Sequence, residues 1–219
     1  MMTGMPPEQT IKKDWKQGLN YVDLVGWNNW IRIHPAVRKR FSTNAHRAVT
    51  YTGVMNEVHL SFVGKIFAHL CRLIGTPLAL YQGKDVPMEV KVYPNEKLKG
   101  MTWERFYQYE DKPVNRVNST KCILPKELLG EAGLVEMVGC GFGMKLNVRE
   151  EEGAIVFESE YFFWQLGGNK IRIPDWLTPG KTIVSQRAIN DKEFEFRLDV
   201  RHSVLGVVFR QFGVFEEKV

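Results

Sequence analysis

Two hydrophobic rhythms divide the chain. Over residues 62–74, Val63, Ile66, Phe67, Leu70, Leu73 and Ile74 recur at three- and four-residue spacing, while Lys65, His69 and Arg72 fall on the other side. That pattern predicts a helix with one buried face. Ser61 stands where a hydroxyl can cap the first turn, and Gly75, Thr76 and Pro77 supply a stop. A shorter helix is expected over 35–41, with Pro35 in its first turn.

Almost everything after Pro77 repeats every second residue instead. Val86, Met88, Val90 and Val92 alternate with Pro87, Glu89, Lys91 and Tyr93, and Phe194, Phe196, Leu198 and Val200 alternate with Glu193, Glu195, Arg197 and Asp199. Such alternation belongs to strands with one dry face and one wet face. Further strands are expected over 46–60, 101–109, 114–123, 135–149, 154–164, 181–189 and 204–215. Turn residues at 95–100, 111–113, 150–153, 179–180 and 190–191 join them too tightly for parallel crossovers, so the pairing is antiparallel.

The expected fold class is therefore α+β, mainly antiparallel β. About nine strands form a strongly curved sheet or incomplete barrel wrapped on the 62–74 helix, with a short N-terminal helix. A flat two-layer sandwich is the alternative. Residues 1–20 read as a tail and 21–219 as a single β-rich domain.

Composition narrows the function classes. Of 219 residues, 44% are hydrophobic, enough for a sizeable core without metal or disulfide. Thirty Lys and Arg against twenty-five Asp and Glu leave a net charge of +5, and the longest basic run is only Arg38, Lys39 and Arg40. Nucleic-acid binders concentrate their basic residues more than this, so no nucleic-acid partner is expected. Cys71, Cys122 and Cys140 build neither a disulfide framework nor a zinc pair, which points to a reducing, cytoplasmic compartment. No stretch approaches the roughly 18 apolar residues of a membrane-spanning helix. The five histidines make no metal-ligand spacing, and no GxSxG elbow is present, so no metal, cofactor or catalytic residue is assigned.

Candidate chemistry lies in the aromatic strands. Trp103, Arg105 and Tyr107 share one face of their strand, Glu160 and Trp164 share a face of another, and His46 can face inward from a third. Aromatic walls with a few polar groups are the usual make-up of a small-molecule pocket, although half-buried strand residues look the same. In 138–148, Val138, Cys140, Phe142, Met144, Leu146 and Val148 read as one continuous strand face with three glycines opposite. Those glycines lack the order of a nucleotide loop and mark a bend or the floor of a cavity.

The leading expectation is a hydrophobic or amphipathic small molecule bound between curved sheet and helix. The alternatives are an enzyme or accessory domain using Arg105, His46 and Glu160, and a surface-binding or oligomerising module using Trp27 and Trp30.

Several short runs carry a family resemblance: Pro35-Ala36-Val37-Arg38-Lys39-Arg40-Phe41, Leu73-Ile74-Gly75-Thr76-Pro77, Asp85-Val86-Pro87-Met88-Glu89-Val90, Trp103-Glu104-Arg105-Phe106 and Ile173-Pro174-Asp175-Trp176-Leu177. Through them the chain from about His34 to Phe215 resembles the bacterial family of domains of unknown function numbered 4166. The family carries no agreed reaction and is found alone or at the carboxyl end of dehydrogenase-like and epimerase-like proteins. The resemblance thus implies an accessory role beside an oxidoreductase-like partner protein, although this chain has no Rossmann segment. It also implies that Trp103 and Arg105 hold an anionic head group.

Overall fold

The computed structural model describes residues 19–43, 47–75, 78–126, 132–166 and 169–218. His46, Thr76, Pro77, the side chain of Ile74 and residues 1–18 of the expected tail lie outside the described residues. The described residues include eleven strands, most of them built on alternating apolar positions: β1 (Val49–Leu60), β2 (Gly83–Asn95), β3 (Gly100–Tyr107), β4 (Asn115–Leu124), β5 (Gly133–Gly139), β6 (Phe142–Glu151), β7 (Ala154–Leu166), β8 (Asn169–Arg172), β9 (Lys181–Ala188), β10 (Glu193–His202) and β11 (Gly206–Glu217). Among the described residues four α-helices accompany them: α1 (Tyr21–Val25), α2 (Trp27–Trp30), α3 (Pro35–Thr43) and α4 (Phe62–Cys71).

Ten of the eleven strands close into an antiparallel ring, because β11 pairs back onto β1 and β6 pairs with β7. The strand β8 is an appendage on the far end of β7. This corrects the expectation of an incomplete barrel of nine strands. The run 135–149 is two strands, β5 and β6, joined by a two-residue turn in which Cys140 and Gly141 both have positive φ, 47° and 80°. A turn of that shape suits a tight hairpin.

The meander places the connections at two ends of the barrel. At one end, α1 and α2 pack on β6 and α3 packs on β9. There Tyr21, Phe41 and Phe157 form an aromatic cluster with ring centroids 4.9 to 5.8 Å apart. Ile33 and Val37 are buried beside them.

At the other end lie α4, the β5–β6 and β10–β11 hairpins and the excursion from β7 to β9. Helix α4 starts at the Ser61 cap, whose hydroxyl accepts from the Gly64 N–H at 3.0 Å, and continues as a 3₁₀ turn over Arg72–Ile74. It does not plug the concave side. Its buried residues are the small pair Gly64 and Ala68, and a Cβ on Gly64 would collide with the Val208 carbonyl. Phe62, Ile66, Leu70 and Leu73 are exposed, Leu73 at 81%. The helix lies across the barrel end because only its small-residue side can approach the strand backbone that closely.

The strand β7 divides its loyalty. It pairs with β9 over Ile155–Glu158 and with β8 over Phe163–Leu166, so the barrel wall parts between these stretches. Residues 173–179 lie over the parting, tied by the Ile173 N–H to the Phe162 carbonyl at 2.9 Å. Among the described residues, no helix is long and apolar enough to cross a membrane.

Candidate functional site in the barrel lumen

Inward-facing side chains leave two cavities in the lumen. The larger, about 320 Å³, lies beneath α4 and residues 173–179 and is walled by Phe67, Val117, Phe142, Phe162, Leu198 and Phe209 among others. The smaller, about 60 Å³, lies under α1 and α3 and is lined by Tyr21, Arg40, Tyr51, Met101, Trp103 and Phe194 among others. Arg105, Val184 and Phe196 line both, so the two chambers abut.

A buried polar network stands at this junction, set by strand register. Lys121 on β4 is directly opposite Glu136 on β5, and Ser119 is opposite Trp103 on β3. Lys121 Nζ sits 3.0 Å from Glu136 Oε2, the Ser119 hydroxyl donates to Glu136 Oε1 at 2.5 Å, and Arg105 Nη1 donates to Ser119 Oγ at 3.2 Å. Arg105 Nη2 is 3.9 Å from the same carboxylate. The Lys121 ammonium also lies 4.6 Å from the centre of the Trp103 ring.

Burial by itself would raise the Glu136 carboxyl, but the Lys121 and Arg105 charges and the Ser119 and Lys121 hydrogen bonds outweigh it and hold the group below the usual carboxylate range. Burial pushes the Lys121 ammonium down, with the Arg105 charge acting in the same direction. Farther toward α4, the Tyr107 hydroxyl donates across the lumen to Gln211 Oε1 on β11 at 2.9 Å. Burial raises that phenol, so it stays neutral and a donor. Cys71, which lines the larger cavity, is likewise a neutral thiol, pushed up by burial to about 11.

The structure brings three of the sequence candidates together and leaves others apart. Trp103, Arg105 and Tyr107 all point into the lumen. Trp164 lies at the β5–β6 hairpin, stacked on Phe142 at 5.2 Å and donating its indole N–H to the Cys140 carbonyl, and lines neither cavity. Glu160 sits at a bulge in β7, pairs with Lys145 at 3.0 Å and shares no cavity with Arg105.

Arg40, Lys121, Ser119 and Glu136 are lumen residues that pattern reading passed over. The signal was there. Glu136 holds an inward position between Leu134 and Val138, Lys121 shares its strand face with Ser119 and Ile123, and Arg40 lies three residues after buried Val37 and just before buried Phe41.

Two comparisons bear on this arrangement. The profile of a family described as a domain of unknown function (DUF4166) matches residues 33–215, which takes in α3 and the barrel to near the end of β11. The chain is also similar to an uncharacterised protein, YndH of Bacillus subtilis (strain 168), at 21% identity over 200 residues, covering 87% of this chain and 93% of the relative.

Proposed function

Since the chain belongs to the DUF4166 family, whose description names no activity, we propose its function from the lumen: the barrel binds a hydrophobic or amphipathic small molecule. The observation that carries this reading is the larger cavity. Its volume of about 320 Å³ falls within the span of small-molecule sites, and its walls are mainly aliphatic and aromatic, with the charged pair Arg105 and Glu136 where it meets the smaller chamber. Barrels of this size leave room inside for a ligand where smaller ones fill with side chains. Each square ångström of apolar ligand taken from water contributes about 25 cal/mol, and a preformed pocket spares the cost of ordering it.

The test combines ligand discovery with a blocked lumen. Native mass spectrometry and organic extraction of the purified protein should recover a bound amphiphile. Leu198→Trp, which projects a large ring into the larger cavity, should lower binding of that molecule at least about tenfold, a loss of roughly 1.4 kcal/mol, with the melting temperature unchanged. Failure to bind any amphiphile, or equal binding by the blocked variant, would remove this reading.

A further inference from the structure

We propose that the ligand is a single-chain amphiphile with an anionic head, received in the smaller cavity by Arg40 and Tyr21; this rests on the lumen being the binding site. The argument begins with charge. Among the described residues, the charged side chains that line the two cavities are Arg40, Arg105, Lys121 and Glu136. The one carboxylate is already engaged by Lys121 and Ser119 and lies beside Arg105. The lumen therefore carries an excess of positive charge, and this holds even if Lys121 gives up its proton.

The unmet charge falls on Arg40. Its Nε and Nη2 are buried and have no hydrogen-bond partner, and its guanidinium carbon lies 3.8 Å from the centre of the Phe194 ring. The Tyr21 hydroxyl is buried in the same chamber and also lacks a partner. Burial lowers the Arg40 guanidinium to about 10, which leaves it protonated at neutral pH. Burial, and then the Glu136 charge, push the Tyr21 phenol well above its ordinary value, so it remains a donor. Glu217 adds a favourable field at Arg40, but its carboxylate is bonded to Arg47 at 2.6 Å.

Buried donors without acceptors are costly, and a buried cation without an anion more so. Three such donors around one chamber call for an acceptor-only group, and carboxylates and phosphates are the common ones. A chamber of about 60 Å³ is room for about four waters, or for one small head group. Its shared wall at Arg105, Val184 and Phe196 then leads the attached chain into the larger cavity.

Three probes of one chain length test this: dodecanoic acid, dodecyl phosphate and dodecanol, titrated calorimetrically into the wild type and into Arg40→Gln, Arg40→Lys and Tyr21→Phe. At least one of the anions should bind the wild type about tenfold or more tighter than the alcohol, the return expected from charge-assisted hydrogen bonds, and the tighter anion names the head. Arg40→Gln should erase that preference while leaving alcohol affinity within about twofold, Arg40→Lys should keep most of it, and Tyr21→Phe should reduce it a few-fold. Equal affinity for anions and alcohol in the wild type, or a preference that survives Arg40→Gln, overturns the proposal with the lumen reading intact. Binding of none of the three would instead count against the lumen itself.

Discussion

The two ends of the barrel are built on opposite plans. Under α1 and α3 the large side chains turn inward: Tyr21, Ile33, Val37 and Phe41 are all buried, Tyr21 meets Phe157 edge-on and Phe41 meets it at a tilt of 41°. At the α4 end the large side chains turn outward. Helix α4 presents Phe62, Ile66 and Leu70 to solvent and rests on Gly64 and Ala68, while Trp176, Leu177, Val204 and Leu205 stand exposed at the same end. One end is a piece of hydrophobic core; the other is a cover held by few contacts over a cavity. On the binding function proposed above, the cover is the way in, because the cheapest opening is the one that gives up least buried area.

The largest effect is expected in the buried aromatic cluster under α1 and α3. Phe157→Ala should cost about 3–5 kcal/mol in urea denaturation, whereas Phe67→Ala, beneath the cover, should cost less than half as much. Equal losses would erase the contrast. At the junction of the chambers, Glu136→Gln leaves Lys121 and Arg105 without their counter-charge and should cost about 3 kcal/mol.

That residue also sets an acid limit. The folded state holds the Glu136 carboxyl below its ordinary value of 4.5, so its stabilisation is complete above that pH and is lost as pH falls beneath it. Denaturation midpoints measured from pH 6 to pH 3 should therefore drop for the wild type and drop less for Glu136→Gln. The smallest effect belongs to the outer face of the cover, where Phe62, 78% exposed, lines neither cavity, and Phe62→Ser should change stability by no more than about 0.5 kcal/mol. A loss above about 1.5 kcal/mol there would mean that Phe62 is packed as core.

The contrast also explains what the sequence discloses. Strands such as β10 were legible because Phe194, Phe196 and Val200 face the lumen while Arg197 faces water, so alternation records the wall directly. The β5–β6 hairpin was hidden because a two-residue turn preserves parity: Val138, Cys140 and Phe142 keep the alternation running straight through it. The positive φ at both Cys140 and Gly141 is the true marker, and Gly139-Cys140-Gly141 was its trace in the sequence. The short β8 carries no alternation to read, since Asn169, Ile171 and Arg172 are all exposed.

Helix α4 misled for a physical reason. An apolar stripe normally marks the buried side, but this helix must touch backbone, and its contact side is marked by the small pair Gly64 and Ala68. In the lumen, the aromatic strand was legible as a wall, with Trp103, Arg105 and Tyr107 inside it. Arg40 was not, because a cation on a short helix reads as solvated until the barrel end that covers it is known.

The way the ring is sealed bears on how the protein is made. Every neighbour pair from β1–β2 to β10–β11 joins segments close in sequence, whereas β1 meets β11 across pairs such as Tyr51 with Glu217 and Leu60 with Phe209. On a ribosome, β1 must therefore keep one edge open until β11 has emerged, long after β2 has paired with the other. That waiting edge is where a nascent chain would need a chaperone, and the final closure is the step that sets how fast the barrel matures.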